Sequence, residues 1–140
     1  MMENNIECIC INLRQATNNI TKIYDKALNS QNIKITQYST LKNIDKLTTP
    51  NIQTLSKKMN LDRSTLVRNL NKLQKMKLIS YKYENNSKSK SIRLTLDGNI
   101  KLSEAHIVWK NTQYALLKNL GFENKKQLDV LLNKVNTIEL

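Results

Sequence analysis

Residues 61–80 read LDRSTLVRNLNKLQKMKLIS. Apolar side chains recur at Leu66, Val67, Leu70 and Leu73, the three-and-four spacing of one helix face. Asp62 or Ser64 offers the short polar side chain that caps a helix start, and the pattern runs to about Met76. After Asp62, every charge up to Ser80 is positive: Arg63, Arg68, Lys72, Lys75 and Lys77. A surface helix that only has to stay soluble mixes its charges. A one-sided helix faces something negative.

The rest of the chain sharpens that reading. Its 140 residues suit one domain with a moderate core, and 23 basic against 11 acidic residues give a net charge of +12. Between Ser56 and Arg93 stand eleven Lys or Arg against two acids, Asp62 and Glu84. Such focused charge favours a polyanionic partner. No run of about 18 apolar residues is long enough to span a membrane. The N-terminal MMENNIECIC lacks the basic-then-apolar order of a signal peptide. Two cysteines in C-x-C spacing without an export signal fit a reducing cytoplasm.

Working outward, Thr49-Pro50 reads as an N-cap and first-turn proline of a short helix carrying Ile52, Leu55 and Met59. Asn60 is its expected left-handed terminator. Upstream, residues 6–29 form a long amphipathic helix with an apolar stripe from Ile6 through Cys10, Leu13, Ile20 and Tyr24 to Leu28. A second helix runs from Thr36 to about Lys46 with Tyr38, Leu41 and Ile44 inward. Downstream the period changes: Leu78–Tyr83 and Ser91–Leu96 alternate as strands around the polar tip ENNSKSK. Thr95 caps a long helix to Leu120, with Ile100, Ala105, Val108, Trp109, Thr112 and Leu116 inward, and Gly121 ends it. A last helix over about 124–138 carries Leu128, Leu131, Leu132, Val135 and Ile138. The expected fold is mainly α with a small β-hairpin wing.

Two short helices joined by a tight turn and followed by a basic hairpin make a winged helix-turn-helix. Its second helix lies in the major groove of duplex DNA. Arg63 and Arg68 are suited to paired hydrogen bonds with guanine, and Ser64, Thr65 and Asn69 to base edges. Lys57, Lys72 and Lys75 serve phosphates, and Lys88 and Lys90 on the wing reach the flanking groove or backbone. A solvated helical bundle with a basic face is the plainer reading of charge alone; the order of elements argues against it. With no phosphate-cradling glycine loop, no nucleophile–histidine–acid set and too few ligands for zinc, no enzyme, cofactor or metal site is expected. Cys8 and Cys10, two residues apart, would point about 200° apart on a helix and cannot pair there.

The segment LSKKMNLDRSTLVRNLNKLQKMKLIS followed by IRLTLDG resembles the MarR family of transcription regulators over almost the whole chain. The resemblance implies an obligate homodimer on a pseudo-palindromic operator, most commonly a repressor in the nucleoid. It implies dimerisation helices at 1–34 and 97–140 around a DNA-binding lobe at 35–96. The wing departs from the family's Asp-x-Arg, carrying Asn86-Ser87-Lys88, and Lys77 replaces the glycine after the recognition helix. A lysine is a point charge without the arginine fork, so minor-groove reading is weaker. The family's pocket for small aromatic or anionic effectors implies Arg14, Tyr24, Tyr38 and Trp109 as lining. CICINLRQATNNITKIYDKAL also resembles the first helix of the branch that senses organic hydroperoxides. It sets Cys10 on that branch's reactive position and Tyr24 on one tyrosine partner, with Ile35 replacing the other. Set against that, Cys10 on the apolar stripe reads as a small core residue.

Overall fold

The computed structural model describes residues 6–83 and 90–140. In chain order it has α1 (Ile9–Leu28), a 3-10 turn (Asn29–Gln31), α2 (Ile35–Leu47), α3 (Ile52–Met59), α4 (Arg63–Lys75), β1 (Ile79–Tyr83), β2 (Lys90–Leu94), α5 (Leu96–Leu120) and α6 (Phe122–Asn136). The Asn86-Ser87-Lys88 replacement falls outside the described residues.

The core follows from the helix stripes. Leu41 and Ile44 of α2, Ile52 and Leu55 of α3 and Leu66, Leu70 and Leu73 of α4 meet Leu78, Ile79 and Ile92 of the hairpin in one cluster. A second cluster joins Leu28, Ile33, Tyr38 and Ala105, and Met76 and Leu102 pack against both. The hairpin is antiparallel, in register from Ile79 opposite Leu94 to Tyr83 opposite Lys90. Asn51 bridges Ser91, and Ile92 N–H donates to Pro50 O at 2.8 Å, so the entry to α3 is tied to the wing.

That tie moves a cap. Thr49 has φ 44°, outside the extended range of an N-cap, and Asn51 takes the role, accepting from Thr54 N–H at 2.7 Å. Pro50 therefore precedes the cap. Asn60, with φ 51°, ends α3 as expected, and Asp62 is the N-cap of α4 without a side-chain bond. Thr95 caps α5, and Gly121 ends it at φ 93°. The helix claims Leu96, which was expected in the strand, because Thr95 already turns the chain.

The outer helices depart most from expectation. On α1 only Tyr24 and Leu28 are buried, while Ile9 is 68% exposed and Cys10 is exposed. Cys10 is thus not a core residue of a single chain. Ile100 points outward, 47% exposed, because α5 buries the opposite side, Gly98 and Ala105. No residue of α6 is buried. No helix among the described residues is long and apolar enough to cross a membrane.

Candidate nucleic-acid interface

Helix α4 packs through Leu66, Leu70 and Leu73, which at 100° per residue leaves Ser64, Arg68, Lys72 and Lys75 on the opposite, exposed face. Thr65 and Asn69 are half-buried along one flank, and Arg68 reaches back to donate to Thr65 Oγ1 at 3.4 Å. Arg63 lies on the side toward α3, where it shares an open groove with Gln53, Ser56 and Lys57. The turn between the helices is held by Leu61 N–H to Ser56 O at 3.1 Å and Ser56 Oγ to Leu61 O at 2.5 Å. Ser64, Arg68 and Lys72 of α4 therefore share one exposed face, and Arg63 and Lys57 line the groove beside it.

Among the described residues the ion pair present is Lys125 with Asp129 on α6, and no described carboxylate pairs with Lys57, Arg63, Arg68 or Lys72. The wing differs. Lys90 is half-buried, with its Nζ 4.4 Å from the Tyr81 ring centre, a cation–π contact that draws it back along the strand. Lys88 lies outside the described residues.

A second set of groups lies where α2 meets α5. The Tyr38 and Trp109 rings stack with centres 5.8 Å apart, and His106 stacks on Trp109 at 5.5 Å. Lys42 Nζ stands 4.4 Å above the Trp109 ring. Burial, and secondarily the nearby Tyr24, push the Tyr38 hydroxyl up to about 12, so it keeps its proton. Tyr38 Oη and His106 Nδ1 lie 2.9 Å apart, within hydrogen-bond distance. Tyr24 donates to Gln113 Oε1, and burial raises its hydroxyl too.

Of the four expected pocket residues, Tyr38 and Trp109 meet directly and Tyr24 lies nearby. Arg14 does not join them: it lines a separate groove with Cys10, Leu13 and Val135. The distance along α1 is the reason. Cys10 and Tyr24 are likewise fourteen residues apart on one helix, about 21 Å, so they do not meet within a chain. Cys8 is the N-cap, in extended conformation, so the helical angle between the two thiols does not apply. His106 and Lys42 were missed as members of the aromatic group. Their signal was present in the spacing, three before Trp109 and four after Tyr38.

This arrangement defines a winged helix-turn-helix protein. Residues 33–88 match the family model described as MarR family. Solved structures of MarR-family transcriptional regulators share its fold over nearly the whole chain. The M. tuberculosis regulator MosR in complex with DNA is 26% identical with a TM-score of 0.81, covering 96% of this chain and 100% of that one. S. aureus MepR in complex with DNA is 18% identical with a TM-score of 0.83, covering 94% and 98%. NadR in complex with 4-hydroxyphenylacetate is 25% identical with a TM-score of 0.72, covering 96% of each chain. No curated protein matches the sequence.

Proposed function

We propose that the protein is a sequence-specific, duplex-DNA-binding transcription regulator. It acts as a homodimer on a pseudo-palindromic operator, as a repressor released by a small aromatic or anionic effector. The observation that carries this reading is the exposed face of α4, where Ser64, Arg68 and Lys72 stand opposite a fully apolar stripe with no described carboxylate paired to them. Arg68 and Arg63 read bases, Ser64, Thr65 and Asn69 line base edges, and Lys57, Lys72, Lys88 and Lys90 hold the backbone. The lobe is residues 35–96, and 1–34 with 97–140 make the dimer. The MosR and MepR complexes with DNA, and the NadR complex with an aromatic acid, support the same assignment by likeness.

Selection of bound sites from random DNA tests it. One enriched palindromic motif is expected; uniform recovery of unrelated sequences would make the protein a non-specific architectural binder instead. The exposed position of Cys10 beside Arg14 favours a second reading, release by oxidation of that thiol. Organic hydroperoxide applied to the DNA complex separates the two. Cys10→Ser is expected to leave release unchanged if an effector bound at the Tyr38–Trp109 cluster is the trigger. Oxidant that frees the wild type but not Cys10→Ser would establish the thiol.

A further inference from the structure

The end of α4 is held by one side chain from the far side of the wing. The chain leaves the helix through Lys77 at φ 61°, with Lys77 N–H to Gln74 O at 2.9 Å and Leu78 N–H to Leu73 O at 3.0 Å. The next two carbonyls both accept from Thr95. Its hydroxyl donates to Lys77 O at 2.7 Å, and its N–H donates to Leu78 O at 3.0 Å. The same Oγ1 accepts from Gly98 N–H at 3.0 Å, capping α5. Gly98 lets the two segments close up, since a Cβ there would sit 2.0 Å from Leu78 O.

We propose that Thr95 is a positioning residue for base reading: it bolts the exit of α4 and the root of the wing to the first turn of α5. This rests on α4 being the helix that reads DNA. At its start α4 is tied to α3 by the Ser56–Leu61 bonds, and along its length by the leucines of its buried face; apolar contacts are non-directional, so they fix depth better than angle. Hydrogen bonds are directional, and the Thr95 pair fixes the end of the helix in rotation as well as distance.

Three variants separate positioning from capping. Thr95→Asp keeps an acceptor for Gly98 N–H, and Asp is a good N-cap, but it cannot donate to Lys77 O. Thr95→Ala deletes the hydroxyl without adding charge, and Thr95→Ser keeps both bonds. For each, affinity is measured for the site selected by the wild type and for an unrelated duplex of equal length, with helicity checked by circular dichroism. The ratio of the two affinities should fall roughly tenfold in Thr95→Asp and Thr95→Ala, the worth of about one hydrogen bond. Thr95→Ser should keep the wild-type ratio. Repulsion between the new carboxylate and DNA weakens both duplexes alike and cancels in the ratio. A wild-type ratio in folded Thr95→Asp or Thr95→Ala overturns the proposal, as does failure of Thr95→Ser to preserve it. A wild type that selects no site at all would defeat the underlying reading of α4 and this inference together.

Discussion

Gly98 and Lys77 occupy the same junction with opposite fits. At Gly98 a new Cβ would strike the Leu78 carbonyl, which is backbone held by Thr95 N–H and cannot swing aside. Gly98→Ala should cost about 1–3 kcal/mol, as overpacking does, and lower the urea midpoint accordingly. Lys77, at φ 61°, carries a side chain where glycine is relaxed. Lys77→Gly relieves roughly 1 kcal/mol of left-handed strain and gives back part of it as unfolded-chain entropy. A small rise in urea midpoint is expected. Tyr38 provides a test by pH. Its hydroxyl is raised to about 12 in the fold and stays near 10.0 in the unfolded chain. The unfolded state thus loses that proton first, and stability present below pH 10 declines between about 10 and 12. A tyrosinate absorbance titration should lose a component near 12 in Tyr38→Phe, while late titration of Tyr24 and Tyr81, also raised by burial, remains. The left-handed Asn60 and the Thr95 cap were legible in sequence because each depends on a few neighbouring residues, whereas Lys77 stood out only through the family resemblance. The bond from Thr95 to Lys77 O spans eighteen positions and was not.

Among the elements, α4 was the most legible and its neighbours less so. Its stripe of Leu66, Leu70 and Leu73 is a local period, and its exposed face follows by geometry. The start of α3 was misplaced by two residues because a contact with β2, Asn51 to Ser91, selects the cap over local preference. Asn51→Ala should therefore destabilise the fold by about 1 kcal/mol, whereas Thr49→Ala should leave α3 intact. The α2–α5 aromatic cluster was half legible: Tyr38 and Trp109 stood out as aromatic residues, but the stacking of Tyr38 on His106 and Trp109 needs two helices in place. The basic residues of α3 and α4 sort by expected role. Arg68→Ala should cost about 1–3 kcal/mol on the selected site and far less on unrelated DNA. Lys57→Ala should weaken both alike and flatten the dependence on salt. Equal losses on both duplexes for Arg68→Ala would remove it from the base-reading set.

At the scale of the whole molecule, the two ends of the chain present apolar surface that one copy does not cover. Ile6, Ile9, Ile20 and Ile23 lie exposed along the first helix and its lead-in, and Leu128, Leu131, Val135 and Ile138 along the last helix and its exit. Their periodicity places these residues on apolar stripes, yet only the fold shows that the winged lobe leaves them uncovered: its core is already closed by α2, α3, α4 and the hairpin. Helices α1 and α6 also border one groove, through Ile9, Leu13 and Val135, so their stripes form neighbouring parts of one surface. Exposed patches of this kind mark association sites. The expected partner is a second copy, since two such surfaces brought together exclude water from both. Light scattering should give twice the chain mass at micromolar concentration and below. Leu131→Glu should shift the protein toward monomer, because a buried carboxylate without a partner costs several kcal/mol. Its winged lobe should stay folded, since Leu131 is 59% exposed in one chain and touches none of the lobe's core. The monomer should then lose most operator affinity while each lobe still binds duplex weakly, as expected when two half-sites are no longer held on one rigid body. A wild-type protein that scatters as a monomer with its helices intact would refute the dimer.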